Sequence, residues 1–285
     1  MPPDGSSADR RVDPHLGTVV HVVASRQSRP NLPADGCPFC VGGLEAPEPY
    51  LAKSFPNRWP ALGEGRCEVV LYTPDHDATF HSLGAEGVRR VIDLWASRTE
   101  ALASLEGVEC VLVFENRGAE VGATIPHPHG QIYAYDSVPS RIARRFAAGW
   151  TPDDDPGARS VIKVPGAVAY AQDASVFPVS LIVAPARRAP DLNSLDGSDR
   201  DALAGVLVDL FDRLDRLFDE PLPYMMWVNQ APRGAVDGWM SIEIVSPWRA
   251  RGVARYIAAA EVAGEEYFNP VDPADVAGRL RDLAK

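Results

Sequence analysis

Two histidines and an amide alternate in His127-Pro-His129-Gly-Gln131-Ile-Tyr133. Gln131, Tyr133 and Tyr135 alternate with Ile132 and Ala134, which reads as a strand entered from a loop. On extended backbone His127, His129 and Gln131 share one side. Such a row is costly to bury without partners, so it reads as a site, and imidazole is a competent nucleophile near neutral pH. Cys37-Pro-Phe-Cys40, followed by Val-Gly-Gly, suits a metal knuckle better than a redox pair launched from a helix. Two idle buried thiols are the alternative. Structural zinc takes four N/S ligands, and His76 and His127 are the candidates for the other two. Between these motifs runs Phe114-Glu-Asn116-Arg-Gly118-Ala-Glu-Val-Gly122-Ala-Thr124, whose glycines permit tight turns and let backbone N–H groups approach an anion. Arg26 and Arg29 are either bidentate phosphate contacts or solvated surface charge. Cys67 and Cys110 stand alone and read as small buried hydrophobes.

The elements that must carry these residues repeat. Residues 1–12 read as a disordered leader, and Thr151–Ser160, dense in Asp, Pro and Gly, divides the rest into halves at 13–150 and 160–285. In the first half, strand Glu68–Thr73 is followed by a helix with Val88, Val91, Ile92, Trp95, Leu102 and Leu105 at helical spacing. The strand Val111–Phe114 and the His-bearing strand come next. In the second, strand Val179–Ala184 precedes a helix carrying Leu203, Val206, Leu207, Leu210, Phe211, Leu214, Leu217 and Phe218, with Ser198 as its expected N-cap. Strands at Met225–Val228 and Trp239–Ser246 follow. The same order twice predicts an α+β protein of tandem modules, each an antiparallel sheet with helices.

A chain of 285 residues that is 46% apolar can build its core without disulfides. The net charge of −11 disfavours nucleic acid or an anionic membrane as the main partner. The most apolar region, Val161–Ala186, is interrupted by charges and prolines, so no transmembrane helix is expected. The N-terminus lacks the apolar run of a secretory signal, and with few cysteines a cytoplasmic location is expected.

Taken in order, Asp13-Pro…Gly17, Arg26-x-x-Arg29-Pro, Cys37-x-x-Cys40, Phe55-Pro-Asn57-Arg58-Trp-Pro, Pro74-Asp-His76, Glu115-Asn116-Arg-Gly-Ala and His127-Pro-His129-Gly-Gln131 resemble the galactose-1-phosphate uridylyltransferase family. This is the transferase branch of the histidine-triad superfamily. Pro223-Tyr224, Ala231-Pro232 and Glu261 extend the likeness into the second half. The resemblance implies two histidine-triad-like halves, a zinc ion on Cys37, Cys40, His76 and His127, His129 as nucleophile, and Gln131 as a hydrogen-bonding partner of the transferred phosphoryl group. Asn57, Asn116 and Thr124 are placed with the nucleotide and phosphates, with Arg26 nearby, and Glu261 in a sugar-contacting segment. Arg29, Arg58 and Gly122 are further substrate-binding candidates. Two positions depart from the family: Arg58 stands where several members have Asp, and Ala260 where an aromatic is common.

The implied reaction moves a nucleoside monophosphate from a nucleotide-sugar to histidine and then to a sugar 1-phosphate, by default UDP-glucose and galactose 1-phosphate. Histidine-triad hydrolases have a third His at the position of Gln131. A neutral amide cannot titrate, which favours transfer over hydrolysis. An ADP-sugar phosphorylase or adenylyltransferase, an enzyme for an unusual sugar, and a non-catalytic nucleotide-binding protein are the alternatives. Some family members have a second, histidine-built metal site in the C-terminal half. With no His after residue 129, and Ser241 and Glu243 at the repeat positions of His129 and Gln131, that site is expected to be absent and the half silent. Family members are commonly homodimers, and Val253–Val262 is apolar enough for an interface or for the core.

Overall fold

The computed structural model describes residues 9–28 and 36–285. Residues 1–8 of the expected leader lie outside these, whereas Asp9–Val12 forms strand β1, paired antiparallel with β2 (Val19–Val22). Then follow β3 (Lys53–Pro56), β4 (Cys67–Leu71), helix α1 (Gly84–Ala103), β5 (Cys110–Arg117), β6 (His129–Tyr135) and α2 (Ser140–Ala147). Beyond the Asp- and Pro-rich break come β7 (Ser160–Val164), β8 (Ala167–Ala171), β9 (Val179–Pro185), α3 (Gly197–Arg216), β10 (Tyr224–Asn229) and β11 (Ser241–Ser246). A small hairpin, β12 (Trp248–Ala250) and β13 (Val253–Ala254), and helices α4 (Ala259–Gly264) and α5 (Pro273–Asp282) finish the chain.

Nine strands form one antiparallel sheet in the order β3-β4-β6-β5-β10-β11-β9-β8-β7. The halves therefore share a sheet instead of each closing its own, joined where Phe114–Arg117 of β5 pairs with Tyr224–Trp227 of β10. Outward from that seam, β5-β6-β4-β3 on one side matches β10-β11-β9-β8 on the other. In each half the order along the chain is strand, long helix, strand, strand.

Periodicity explains which face each element shows. On α1, Val88, Val91, Ile92, Trp95 and Leu102 form one buried stripe. It packs with the matching stripe of α3 over one face of the sheet, where Val70, Val113, Ile132, Leu181, Val183, Met226 and Ile244 meet them in a single core drawn from both halves. β4 and β9 are buried along their whole length because both of their faces are covered. β6 alternates: Gly130, Ile132 and Ala134 are buried toward the helices, and His129, Gln131, Tyr133 and Tyr135 are half-buried on the opposite face. The N-cap of α3 is Asp196, two residues before the expected Ser198. Its carboxylate accepts from the Asp199 backbone N–H at 2.9 Å, and Asp199 reciprocates with the Asp196 N–H at 3.0 Å. A carboxylate at this end also faces the positive pole of the helix, which a hydroxyl does not exploit.

Candidate functional site

The Cys37-x-x-Cys40 loop folds over the end of the sheet. Gly43 is needed there because a Cβ would sit 2.7 Å from the carbonyl oxygens of Cys37 and Pro38. The loop brings Cys37 Sγ to 3.7 Å from His127 Nδ1, and Cys40 Sγ to 3.5 Å from His76 Nδ1 and 3.8 Å from His127 Nδ1. All four ligand atoms lie within 4.8 Å of one another. The edges of a zinc tetrahedron with two sulfur and two nitrogen ligands are roughly 3.5 Å, so this donor set fits the metal. His127 Nε2–H donates to the Thr73 carbonyl at 2.8 Å, which leaves Nδ1 unprotonated toward the cluster. Tyr50 supports the same corner: its single hydroxyl hydrogen is within bonding distance of the Phe39 and Thr73 carbonyls, 2.7 and 2.8 Å from its oxygen, which lies 3.0 Å from His127 Nε2. Burial lowers the His127 pKa, and burial together with the neighbouring Cys37 thiol raises that of Cys40. A bound cation would draw the thiol proton off.

Pro128 separates this cluster from His129, the first residue of β6. His129 Nδ1 is 2.7 Å from the His127 carbonyl oxygen. A carbonyl can only accept, so Nδ1 carries the hydrogen and the lone pair of the ring is on Nε2. The ring packs on Phe39, 5.0 Å between centroids. Gln131 lies two residues on, and its Oε1 accepts from Asn57 Nδ2 at 3.1 Å; Asn57 Oδ1 in turn accepts from the Trp59 N–H at 2.9 Å.

His129 and Gln131 open on a cavity of about 710 Å³, a usual size for a small-ligand site. Its polar lining includes these two, Asn57, Thr124, Arg58, Glu45 and the Cys37 and Cys40 thiols, and its apolar wall includes Phe39, Phe55, Trp59, Val69 and Ile125. Arg58 is ion-paired with Glu45 of the knuckle loop at 2.9 Å, tying two walls together. A second, narrow crevice of about 30 Å³ on the other side of His129 is lined by Asn116, Glu115, Arg117 and Tyr224.

Not every expected residue converges here. Arg26 lies in the 3₁₀ turn Ala24–Ser28, its guanidinium 3.5 Å from the hydroxyl of Tyr133 farther along β6, and Arg29 lies outside the described residues. Gly122 ends a short 3₁₀ turn with φ +84° and lines neither cavity. Glu261 is buried in α4, paired with Arg255 and accepting from the backbone N–H groups of Ala258 and Phe268 at 2.8 Å each. These bonds hold its carboxyl below the usual range, and it does not line the cavity. Sequence reasoning missed the wall residue Phe39, the support Tyr50 and the apolar lining at Val69 and Ile125. Phe39 lies inside the Cys-x-x-Cys motif and was discoverable there; nothing local marks Tyr50.

In the second half, Ser241 and Glu243 occupy the start of β11 as His129 and Gln131 do in β6. Ser241 Oγ accepts from Arg145 of α2 at 2.7 Å, Glu243 from Arg141 at 2.7 Å, and Asn229 Nδ2 donates to both at 3.3 Å. Arg145 stacks on Trp150, 3.5 Å from guanidinium carbon to ring centroid. Among the described residues, Cys37, Cys40, His76 and His127 form the one cluster able to hold a metal.

The model of the galactose-1-phosphate uridyl transferase N-terminal domain matches residues 56–139, which span β6 and the loop before it. A galactose-1-phosphate uridylyltransferase of Thermotoga maritima is 32% identical over 95% of this chain and 97% of its own. One of Streptomyces lividans is 38% identical over 81% of this chain and 72% of its own. Among solved structures, a uridylyltransferase superposes with a TM-score of 0.88 at 24% identity, covering 96% of this chain and 97% of that one. An ADP-glucose phosphorylase of Arabidopsis thaliana superposes at 0.76 and 20% identity, covering 98% and 100%. At those identities the two structures speak to the fold alone. The two sequence relatives extend well beyond the motifs, and the chain belongs to the galactose-1-phosphate uridylyltransferase family of nucleotidyltransferases, within the histidine-triad superfamily.

Proposed function

We propose that this chain transfers a nucleoside monophosphate between a nucleotide-sugar and a sugar 1-phosphate through a covalent nucleotidyl-His129, with UDP-glucose and galactose 1-phosphate as the first pair to test. The observation that carries the reading is the tautomer. The His127 carbonyl holds the Nδ1 hydrogen, so Nε2 is nucleophilic beside Gln131 in a cavity of nucleotide size. Nε2 attacks the α-phosphorus while the bond to the sugar phosphate breaks. A sugar phosphate has a second pKa of about 6 and departs without a general acid. Gln131, oriented by Asn57, donates its amide N–H to a phosphoryl oxygen and cannot pass a proton to water, so the intermediate waits for a second sugar phosphate. The apolar wall of Phe39, Phe55 and Trp59 suits the base, and Asn116 and Thr124 suit the phosphates.

Cys37, Cys40, His76 and His127 would hold zinc, which when bound supplies a structural cross-link between the knuckle loop and the Pro128 turn. The mirrored strand order supports duplication of a histidine-triad-like module, with 13–150 bearing the site and 160–285 silent. Its serine and glutamate are already bonded to arginines, so that half offers no nucleophile equivalent to His129.

The test is intact-protein mass spectrometry after mixing with UDP-glucose, ADP-glucose or GDP-mannose separately. A gain of one nucleoside monophosphate is expected, its size naming the base, and a chase with sugar 1-phosphates or phosphate removes it and names the acceptor. His129→Ala is expected to abolish the adduct and label exchange with zinc content unchanged. Exchange at the wild-type rate in that variant would defeat the reading.

A further inference from the structure

Behind β6, on the face away from the cavity, a polar chain crosses four strands through an otherwise apolar core. Tyr72, just past the end of β4, is 1% exposed, with its ring edge-on to Phe80 and Trp95. Its hydroxyl lies over Gly130, where a Cβ would come within 2.2 Å of it. The bare strand at Gly130 lets Tyr72 reach beside Glu115 of β5, which is 5% exposed. From the other side Tyr224 of β10 donates its hydroxyl to Glu115 Oε1 at 2.5 Å. Glu115 Oε2, the Tyr72 hydroxyl and the Trp95 indole nitrogen are buried without a well-formed hydrogen bond among the described residues. Arg117, the nearest cation, is itself paired with Asp215 at 2.7 Å. A carboxylate in this place is costly to the fold, and the chemistry described so far does not use it. Yet Glu115 and Tyr224 line the crevice of about 30 Å³ that His129 also lines.

We propose that Glu115 is a positioning residue for nucleotidyl transfer, setting a negative charge behind His129 that stabilises the cationic ring of the nucleotidyl-histidine. This rests on the transfer reading above. In the step, the Nε2 lone pair forms the bond to the α-phosphorus, and the bond from phosphorus to the bridging oxygen breaks with its electron pair. The sugar 1-phosphate leaves and Nδ1 keeps its hydrogen. The ring then holds one positive charge until the second sugar phosphate reverses the step. The His127 carbonyl meets that charge at Nδ1, and the Glu115 carboxylate acts on it at longer range across the crevice that both residues line, in surroundings of low polarity. The groups facing Glu115 are Tyr72, Tyr224 and Arg117, with Asp215 beyond. Burial lifts its carboxyl to about 7 against the lowering effect of the first three, so it is ionised for much of the time near neutral pH.

Glu115→Gln keeps the shape and the acceptor for Tyr224 and removes only the charge. In zinc-loaded protein, mass spectrometry would follow the adduct fraction at fixed ratios of nucleotide-sugar to sugar 1-phosphate. The expectation is a roughly tenfold fall in the equilibrium constant for adduct formation, equal to about one pKa unit, with donor KM within about twofold of wild type. Glu115→Asp, which retains the charge, is expected to restore most of it. An equilibrium constant for Glu115→Gln equal to that of wild type would overturn the proposal, as would a loss confined to KM. Should Glu115→Gln fail to fold, Tyr224→Phe serves. Without that hydrogen bond the carboxyl keeps its proton more tightly, and a roughly threefold fall is expected; no change overturns the idea. Wild-type protein run alongside separates the two readings. No adduct from any donor removes the transfer reading and this one with it, whereas a normal wild-type adduct with an unaltered Glu115→Gln removes this one alone.

Discussion

At the scale of single residues, the neighbourhood of His129 mixes positions chosen for reaction with positions chosen to make room. Gly130 belongs to the second kind. Gly130→Ala pushes a methyl group into the Tyr72 hydroxyl, which Phe80 and Trp95 keep from moving away. A stability loss of about 2–3 kcal/mol is expected, partly relieved when Tyr72→Phe is added, because the closest atom is then gone while the Phe114 carbonyl oxygen at 3.0 Å and the ring carbon at 3.1 Å remain. Calorimetry on the two single variants and the double variant checks this, and additive losses would contradict the geometry. Glu115 carries the opposite sign. Its folded pKa is raised from 4.5 to about 7, so its contribution to stability is greatest below 4.5 and is lost as pH climbs through 7. Glu115→Gln is therefore expected to melt higher than wild type at pH 8, by up to about 3 kcal/mol, even as it transfers less well. A lower melting temperature at pH 8 would show that the charge is stabilising. Gln131→His is expected to shorten the life of the adduct in water, seen as hydrolysis of nucleotide-sugar without an acceptor.

At the scale of elements, legibility followed length and period. The long helices α1 and α3 and the strands β4, β6 and β9 could be read because many residues repeat one signal. The hairpins β1–β2 and β7–β8 and the helices α2 and α5 are short, and turns or charges break their patterns. The α3 cap shows how a local signal is misread: Asp196 and Ser198 each have an acid three positions on, Asp199 and Asp201, so the pattern alone does not choose between them. In the fold Asp201 is drawn off to Arg89, and Asp199 closes the capping box on Asp196. Asp196→Ala is expected to cost about 1 kcal/mol in thermal unfolding and to leave adduct formation unchanged; an activity loss would tie that helix end to the site. The Cys37, Cys40, His76 and His127 cluster and His129 were legible because each lies in a compact motif. The Tyr72–Glu115–Tyr224 chain was not, since its members are 43 and 109 residues apart and each alone reads as core.

At the scale of the whole molecule, the β5–β10 seam makes the halves one structural unit. Gln230 donates to the Val111 carbonyl at 3.0 Å, Arg233 to the Val108 carbonyl at 2.6 Å, and Arg117 pairs with Asp215, all across the division. One thermal transition is therefore expected, and residues 13–150 alone should not fold, because β5 would expose an unpaired edge. Two calorimetric transitions would contradict a shared core. Chelation is expected to lower the melting temperature and to slow adduct formation, since it frees the Pro128 turn; metal analysis of the untreated protein should find one zinc per chain. Among the described residues no helix is long and apolar enough to cross a membrane.

The stacking of Arg145 on Trp150 over Ser241 bears on stoichiometry. A mirrored strand order would ordinarily offer two matching sites. At the matching positions of β11, Arg141 and Arg145 have donors committed to Glu243 and Ser241, and the Glu243 carboxylate repels a phosphate. Saturation should thus stop at one nucleotide for each chain, and a titration breaking at two would mean that α2 can be displaced. The arginine clamp on β11 sets an upper bound of one on the ligand count.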